Sequence, residues 1–249
     1  MKNIQKQFIM AMKGAGKTTA SKAHPDIIAD VDWAYFVKLR QLNGKETRHP
    51  DFPVNFVQSL IKAYNTHPVV VTSMGHPPCN LIKLIRSEIC NASIVKDYLR
   101  ECVSSVANQN DESTATPEFE NDIERLAELI MPELRTLRRI EFESILTIPD
   151  EECCQDFINR QKHREEEYAR RKETDPNAKR TGGRFRGDDA VVESFYRNTN
   201  LANKLFKETG LFSKLPMRKG QHFLDAFRER DRTIEKPMPR DSILNETPK

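Results

Sequence analysis

Long hydrophobic runs are missing from this sequence of 249 residues. A membrane-spanning helix needs about 20 consecutive apolar residues, and no stretch of the chain approaches that length. The apolar run near the N-terminus, within MKNIQKQFIMAM, is too short for a secretory signal and leads directly into a glycine-rich turn. We therefore expect a cytoplasmic protein without a membrane partner.

The spacing of the cysteines matches no common metal or disulfide pattern. The five cysteines include no CxxC pair and have no histidines nearby at metal-binding spacing. An odd number of cysteines favours reduced thiols, as in the cytoplasm. We expect the adjacent Cys153 and Cys154 to pack on a helix, because a disulfide between neighbours is strained.

A strong charge of one sign is also missing, since the formal net charge is only +3. Net charge alone therefore indicates no class of partner. The distribution is more informative, because basic residues are concentrated between Arg160 and Arg186, with acidic residues among them. The apolar content of 37% is sufficient for one core, either of one domain or of one domain with an inserted subdomain.

Apolar segments alternate with helical patterns along the chain. Continuously apolar strands are predicted at 5–12, 26–32, 67–75 and 141–149, and helices follow each of them, after a polar loop in the second case. This order predicts an α/β protein of the P-loop three-layer α/β/α type, with a short parallel sheet covered on both faces. The predicted organisation is a core of 1–90 and 138–232 with a lid at about 155–190, a helical insertion at 91–137, and a flexible tail at 233–249.

A glycine-rich turn follows the first predicted strand and reads Gly14-Ala15-Gly16-Lys17-Thr18. Glycines allow successive backbone N–H groups to approach phosphate oxygens, and a helix N-terminus adds a favourable dipole. In this pattern Lys17 contacts the β- and γ-phosphates of ATP, the Thr18 hydroxyl binds Mg²⁺, and Thr19 follows in the same turn. Ala11 departs from the pattern, because it stands where the first glycine belongs.

Two carboxylates, Asp30 and Asp32, end the second predicted strand. The carboxyl ends of parallel strands form the ligand crevice of such sheets. Either residue could accept a proton from an acceptor or assist Mg²⁺, with Asp32 the preferred base and Asp30 the preferred metal neighbour. Solvated carboxylates at a strand end are the structural alternative. Trp33 follows and could stack on a base, although an aromatic residue here is more often part of the core.

Further candidate substrate contacts lie in two other segments. Arg48, His49 and Asp51 occupy a polar loop where an acceptor could be held, and a solvated loop is the alternative. The third predicted strand ends near Ser73 and His76, and it lacks the aspartate that orients magnesium in many P-loop proteins. This absence argues against a GTPase or a motor ATPase.

A basic segment follows the fourth predicted strand, where Arg160 and Arg164 are four residues apart and so share one helix face. Two guanidinium groups beside a transferring phosphate would stabilise its developing charge. Arg184 and Arg186 lie further on, in a glycine-rich stretch that could close over ATP or hold a nucleic-acid backbone. A solvated helix and loop are the alternatives.

The chain resembles the P-loop kinases of small acceptors, namely the polynucleotide, gluconate and shikimate kinases and the zeta-toxin family. The resemblance consists of the glycine-rich turn and of the order in which Pro149, Arg160 and Arg164 follow the fourth predicted strand. The resemblance covers 5–32, 67–76 and 141–205, and the chain is also similar in general character to phage-encoded nucleotide or nucleoside kinases. It implies an ATP- and Mg²⁺-dependent kinase whose arginine helix forms a lid. The expected acceptor is a nucleoside or nucleotide. The alternatives are a DNA hydroxyl, at a 5′ end or a modified base, and a nucleotide-binding protein without catalysis.

Overall fold

The computed structural model describes residues 5–40, 46–104, 116–178 and 185–237. Its strands are β1 (Gln7–Ala11), β2 (Ile28–Asp30), β3 (Lys38–Arg40), β4 (Glu46–Arg48), β5 (Val69–Ser73), β6 (Glu143–Pro149) and β7 (Ser213–Met217). The longer helices are α1 (Lys17–Ala23), α3 (Val54–Thr66), α4 (His76–Arg86), α5 (Ala92–Ser104), α6 (Pro117–Arg138), α7 (Cys154–Thr174), α8 (Asp188–Thr209) and α9 (Phe223–Thr233). A short helix, α2 (Ala34–Val37), lies between β2 and β3.

Five of the strands form one parallel sheet in the order β2-β5-β1-β6-β7. Parallel neighbours require crossover connections, and helices α1 and α3 to α8 supply them. All residues of β1 and β5 are buried, as expected for strands covered on both faces. The predicted α/β class with a parallel sheet is therefore confirmed.

The chain folds into two compact units. The first comprises Met1–Met10 and Ser21–Ile145, and the second comprises Ala11–Ala20 and Leu146–Lys249. Each unit is therefore built from two separate stretches of sequence, and the glycine-rich turn belongs to the second unit.

Helix α6 organises the helical part of the first unit. It packs against α3, α4 and α5. Its buried residues recur every three or four positions and form one apolar stripe: Ile123, Leu126, Ala127, Ile130, Leu134 and Leu137. Thr116 caps the N-terminus, because its hydroxyl accepts the Phe119 backbone N–H at 3.2 Å. Helices α5 and α6 occupy the stretch predicted as an insertion, and its status as an insertion stays a prediction.

In the second unit, α7 packs against α8 and β7 packs against α9. Phe157 of α7 and Phe195 of α8 are fully buried, with ring centroids 5.4 Å apart in an edge-to-face arrangement. Beyond α9, the backbone of Glu235 exchanges two 2.8 Å hydrogen bonds with Lys214 of β7. The described part of the predicted tail is thus attached to the sheet edge.

Two parts of the expected secondary structure need correction. The polar loop after β2 contains α2 and the antiparallel pair of β3 and β4, whose charged residues give no apolar strand signal. Strand β7 was not predicted, because Lys214 and Pro216 interrupt its apolar pattern. Residues 105–115 of the predicted helical insertion lie outside the described residues, as do 238–249 of the tail. None of the described helices has the length and hydropathy needed to cross a membrane.

Candidate functional site

The glycine-rich turn of the second unit has the backbone conformation that only glycine adopts easily. Gly14 has φ +91° and Gly16 has φ +101°, while β1 ends at Ala11 and α1 begins at Lys17. The Ala15 N–H donates to the Met12 carbonyl at 3.1 Å and closes the turn. Ala11, the departure from the usual pattern, is fully buried in β1, where its methyl group is accommodated.

Lys17 is the first residue of α1 and is only 6% exposed. Its ammonium donates to the carbonyls of Ala11 and Met12 at 3.4 and 3.3 Å. The two carbonyl oxygens offset part of the cost of burying the ammonium. The ammonium and the N-terminus of α1 together make the turn electropositive. Thr18 and Thr19, the next two residues of the helix, are both exposed.

Arg164 of α7 lies against the turn. A Cβ atom built on Gly14 would be 3.4 Å from the Arg164 guanidinium and 3.7 Å from the Phe157 ring. The structure therefore brings one of the two predicted arginines to the glycine-rich turn within the same unit. Burial lowers the pKa of the Arg164 guanidinium below its ordinary value.

Arg160 lies one helical turn earlier on α7. Its guanidinium carbon is 4.6 Å from the centroid of the Phe157 ring, and its Nη1 donates to the Gln221 carbonyl at 3.4 Å. Its Nε and Nη2 are buried and have no hydrogen-bond acceptor among the described residues. Burial is the main cause that lowers the Arg160 pKa, and repulsion by Arg164 acts in the same direction. Buried cationic donors without an acceptor favour binding of an anion.

His222 is a residue at this turn that sequence reasoning missed. Its Nδ1 lies 3.7 Å from the position of a Cβ built on Gly16, and the next residue, Phe223, donates its N–H to the Ala15 carbonyl at 3.0 Å. The His222 ring and Asp225 form a reciprocal cap at the start of α9. The only sequence signal for this arrangement is the aspartate three residues after the histidine.

The residues at the turn fit a nucleotide phosphate better than an isolated metal ion. Among the described residues, no three His, Cys, Asp or Glu side chains are grouped so that they could hold a metal. A magnesium ion at Thr18 would therefore take most of its ligands from phosphate oxygens and water, as this ion commonly does. The backbone N–H groups of the turn, Lys17, Arg160 and Arg164 are the groups that suit phosphate oxygens.

The predicted lid continues beyond α7. Arg184 lies outside the described residues, and Arg186 precedes α8 by two residues. Lys162 and Asp188 form an ion pair at 2.8 Å, which connects α7 to the first turn of α8. Of the predicted lid arginines, the structure therefore brings Arg164 to the turn and places Arg160 on the same helix.

In the first unit, Asp32 is held in a defined orientation. Its Oδ2 accepts a hydrogen bond from the Ser73 hydroxyl at 2.6 Å, and its Oδ1 accepts from the Ala34 N–H at 3.2 Å. The Trp33 N–H donates to the Thr72 hydroxyl at 3.2 Å. The sequence shows no carboxylate at the end of β5, yet the pairing of β2 with β5 brings Asp32 to Ser73.

Asp30 is the last residue of β2 and is half-buried. Partial burial, then the charge of Asp32 and then that of Asp30, raise the pKa of Tyr35 above its ordinary value. The two carboxylates therefore act on the same neighbouring side chain.

Two predicted substrate residues have structural contacts of their own. Trp33 packs on Gly75, where an added Cβ would be 3.0 Å from the indole ring, and its ring centroid is 6.4 Å from that of Phe52. Arg48 forms an ion pair with Asp122 of α6 and donates to the carbonyls of His49 and Phe52 at 3.2 and 3.4 Å. His76 is exposed at the start of α4.

No protein-family model, curated protein or solved structure matches this chain. The structure is that of an α/β protein with a parallel sheet. Its second unit contains a glycine-rich, positively charged turn, and its first unit contains the hydrogen-bonded Asp32.

Proposed function

We propose that this chain is an ATP-dependent kinase of the small-acceptor P-loop type, which transfers the γ-phosphate to a nucleoside or nucleotide. The observation that carries the proposal is the environment of Gly14. A turn of glycines with positive φ, a buried lysine and the Arg164 guanidinium meet within one unit. These groups suit the triphosphate of ATP, and Thr18 suits its magnesium ion.

The role proposed for the arginines follows from their charge and burial. When the bond between the γ-phosphorus and its bridging oxygen breaks, negative charge increases on the leaving oxygen and on the transferred group. Arg160 and Arg164 are partly shielded from water, so their attraction for that charge is stronger than it would be in bulk solvent.

The proposed base is Asp32. For a hydroxyl acceptor, the oxygen forms a bond with the γ-phosphorus while its proton passes to a carboxylate. The hydrogen bonds from Ser73 and Ala34 hold the Asp32 carboxylate in one orientation, which supports this assignment over the assignment of Asp30.

A turnover assay tests the proposal. The purified chain is incubated with Mg·ATP and a panel of nucleosides, nucleoside monophosphates and 5′-hydroxyl oligonucleotides, and ADP and the phosphorylated acceptor are measured. We expect Asp32→Asn to lower turnover about 100-fold or more, within the range typical of a general base, with the Kd for ATP little changed. Asp26→Asn, at an exposed aspartate before β2, is the matched control and should keep full activity.

Three outcomes separate the alternatives. If ATP binds, no acceptor is phosphorylated and Asp32→Asn behaves as the wild type, the chain is a nucleotide-binding protein without kinase activity. If oligonucleotides are the best acceptors and turnover falls steeply with salt, the acceptor is DNA. If ATP does not bind, the proposed role of the turn is wrong.

A further inference from the structure

Helix α3 turns a polar face toward a cavity of about 410 Å³ in the first unit. The opposite face of α3 is buried in the core through Val54, Phe56, Val57, Leu60, Ala63 and Tyr64. The polar residues recur at intervals of three or four, so they form one continuous strip: Asn55, Gln58, Ser59 and Lys62. The volume lies in the range of small-ligand sites.

The remaining wall of the cavity is aromatic. Tyr35 and Phe36 of α2 line it, together with His49 after β4. Tyr35 is 70% exposed, an unusual exposure for so large a ring, which leaves its face accessible to a ligand. No carboxylate lines the cavity within the described part of the chain. An exposed tyrosine ring and a half-buried phenylalanine ring beside amide side chains suit a flat, polar ring.

His49 presents a hydrogen-bond donor. Its Nδ1 accepts the backbone N–H of Asp51 at 3.1 Å, so the neutral ring carries its proton on Nε2. The Asn55 amide, in contrast, donates to the Phe36 carbonyl at 3.1 Å and holds α2 beside α3. The Gln58 amide donates to Glu133 at 3.0 Å.

Lys62 supplies the positive charge of the cavity wall. It forms no ion pair within the residues that the structure describes. The Ser59 hydroxyl, one turn earlier, likewise has no hydrogen-bond partner there. An ammonium and two neutral donors beside aromatic rings match an anionic group attached to a flat ring.

The cavity lies in the same unit as the proposed base. Tyr35 donates its backbone N–H to the Asp32 carbonyl at 3.0 Å, so the aromatic wall begins within one turn of that residue. We propose that this cavity is the acceptor site and that the acceptor is a nucleoside monophosphate. Lys62 binds its phosphate, and Tyr35 and Phe36 contact its base. A sugar hydroxyl of the monophosphate forms the new bond to the γ-phosphorus and gives its proton to Asp32, while ADP leaves. This inference rests on the proposed kinase function and narrows its acceptor class.

Calorimetric titration without ATP tests the cavity separately from turnover. The ligands are 5′- and 3′-deoxynucleoside monophosphates, the matching nucleosides, inorganic phosphate and a short oligonucleotide. We expect Lys62→Ala to weaken monophosphate binding about ten-fold or more and to leave the weaker nucleoside binding unchanged, because only the phosphate loses its partner. Lys62→Arg should retain most of the affinity. Lys83→Ala, at an exposed lysine on α4, is the matched control and should bind as the wild type.

A second substitution examines the aromatic wall. Tyr35→Ala should weaken the binding of nucleosides and of monophosphates by the same factor and leave the binding of inorganic phosphate unchanged. The proposal is overturned if Lys62→Ala binds monophosphates normally, or if nucleosides bind as tightly as monophosphates. It is also overturned if the oligonucleotide binds more tightly than any monophosphate.

The two proposals fail in different ways. Lys62-dependent monophosphate binding without ATP turnover would support the cavity and reject the kinase. If the chain turns over ATP but its affinity for monophosphates does not depend on Lys62, the proposed kinase function is retained and the proposed acceptor site is rejected. The ATP affinity of every variant, measured in the same buffer, shows that the glycine-rich turn is intact.

Discussion

At the scale of single residues, Gly14 combines a conformational requirement with a contact. Its φ of +91° is unfavourable for any residue with a Cβ, and that Cβ would lie 3.4 Å from the Arg164 guanidinium. We expect Gly14→Ala to lower the free energy of unfolding by about 1–2 kcal/mol, the usual effect of a side chain in left-handed backbone. We also expect a loss of ATP affinity, because the methyl group would lie beside the Arg164 guanidinium, where the phosphates are proposed to bind.

Gly210→Ala is the matched control for Gly14→Ala. Gly210 ends α8 in the left-handed conformation, with φ +62°, so its substitution has a similar backbone effect at a position outside the glycine-rich turn. Urea unfolding and ATP titration of both variants separate the two effects. Equal losses of ATP affinity in the two variants would mean that the contact between Gly14 and Arg164 has no role in binding.

Arg160 has opposite effects on folding and on the proposed binding of ATP. Its buried Nε and Nη2 have no acceptor among the described residues, so its burial opposes folding. Arg160→Met keeps the length and the contact with Phe157 but removes the charge. We expect its free energy of unfolding to be unchanged or raised by about 1 kcal/mol, while ATP binding weakens about ten-fold or more. Lower stability together with normal ATP binding would contradict the proposed role.

At the scale of elements, four charged side chains connect α6 to the segment before α3. Asp122 accepts from both Arg48 and Arg125, and Arg125 also pairs with Asp51 at 2.9 Å. These side chains are partly exposed, so the network contributes little per pair, about 1 kcal/mol in all. This network gives Arg48 a structural role that is independent of any substrate.

Arg48→Ala and Asp122→Ala distinguish the two roles of Arg48. If Arg48 only connects the elements, both variants should lower the free energy of unfolding by about 1 kcal/mol, less in high salt, and leave the KM for the acceptor unchanged. The double variant should then lose less than the sum of the two single variants, because both remove the pair between Arg48 and Asp122. A KM increase confined to Arg48→Ala would instead support the substrate contact predicted from the sequence.

Helices α4 and α5 bury groups that must remain neutral. Burial raises the pKa of Cys79 to about 11 and that of Cys102 to about 12, and it raises the pKa of Tyr98 well above its ordinary value. In the unfolded chain these thiols ionise near pH 9. Above that pH the unfolded state binds fewer protons than the folded state, so stability must fall as pH rises.

Urea unfolding at pH 8 and pH 10 measures this dependence. We expect the free energy of unfolding to be lower at pH 10, and Cys102→Ala to reduce the difference between the two pH values. Cys90→Ala is the control, because Cys90 is only half-buried. An unchanged difference in Cys102→Ala would show that other groups cause the alkaline loss.

The elements also show what the sequence can predict. The core strands β1 and β5 follow from continuous apolar runs, and α1 follows from the glycine-rich turn. Strand β7 lies at the sheet edge, where Pro216 and a half-exposed Lys214 are tolerated. Because its buried and half-exposed residues alternate, it contains no continuous apolar run and was not predicted as a strand. The hydrogen bond between Ser73 and Asp32 depends on which strands are neighbours in the sheet. The position of His222 depends on where α9 packs. Local spacing in the sequence determines neither the strand order nor the packing of α9.

At the scale of the whole molecule, the division into two units assigns the glycine-rich turn to the C-terminal part of the chain. Ala11–Ala20 belongs to the unit of Leu146–Lys249, although 125 residues of the first unit, Ser21–Ile145, separate the two stretches in sequence. The proposed phosphate site therefore uses residues far apart in the chain. A fragment beginning at Leu146 would lack Lys17 and both glycines, and we do not expect it to bind ATP.

Hydrogen exchange of the full chain tests this assignment. Mg·ADP should slow amide exchange at 12–18, where N–H groups approach the phosphates, and in α7 around Arg160 and Arg164, because binding stabilises the local structure it contacts. Helices α5 and α6 of the first unit serve as the internal reference and should exchange at an unchanged rate. The Lys17→Ala variant should show no such protection at the same ADP concentration. If protection in the wild type spread equally over α5, α6 and α7, ADP would stabilise the chain globally, and the proposed local contact at the turn would lose its support.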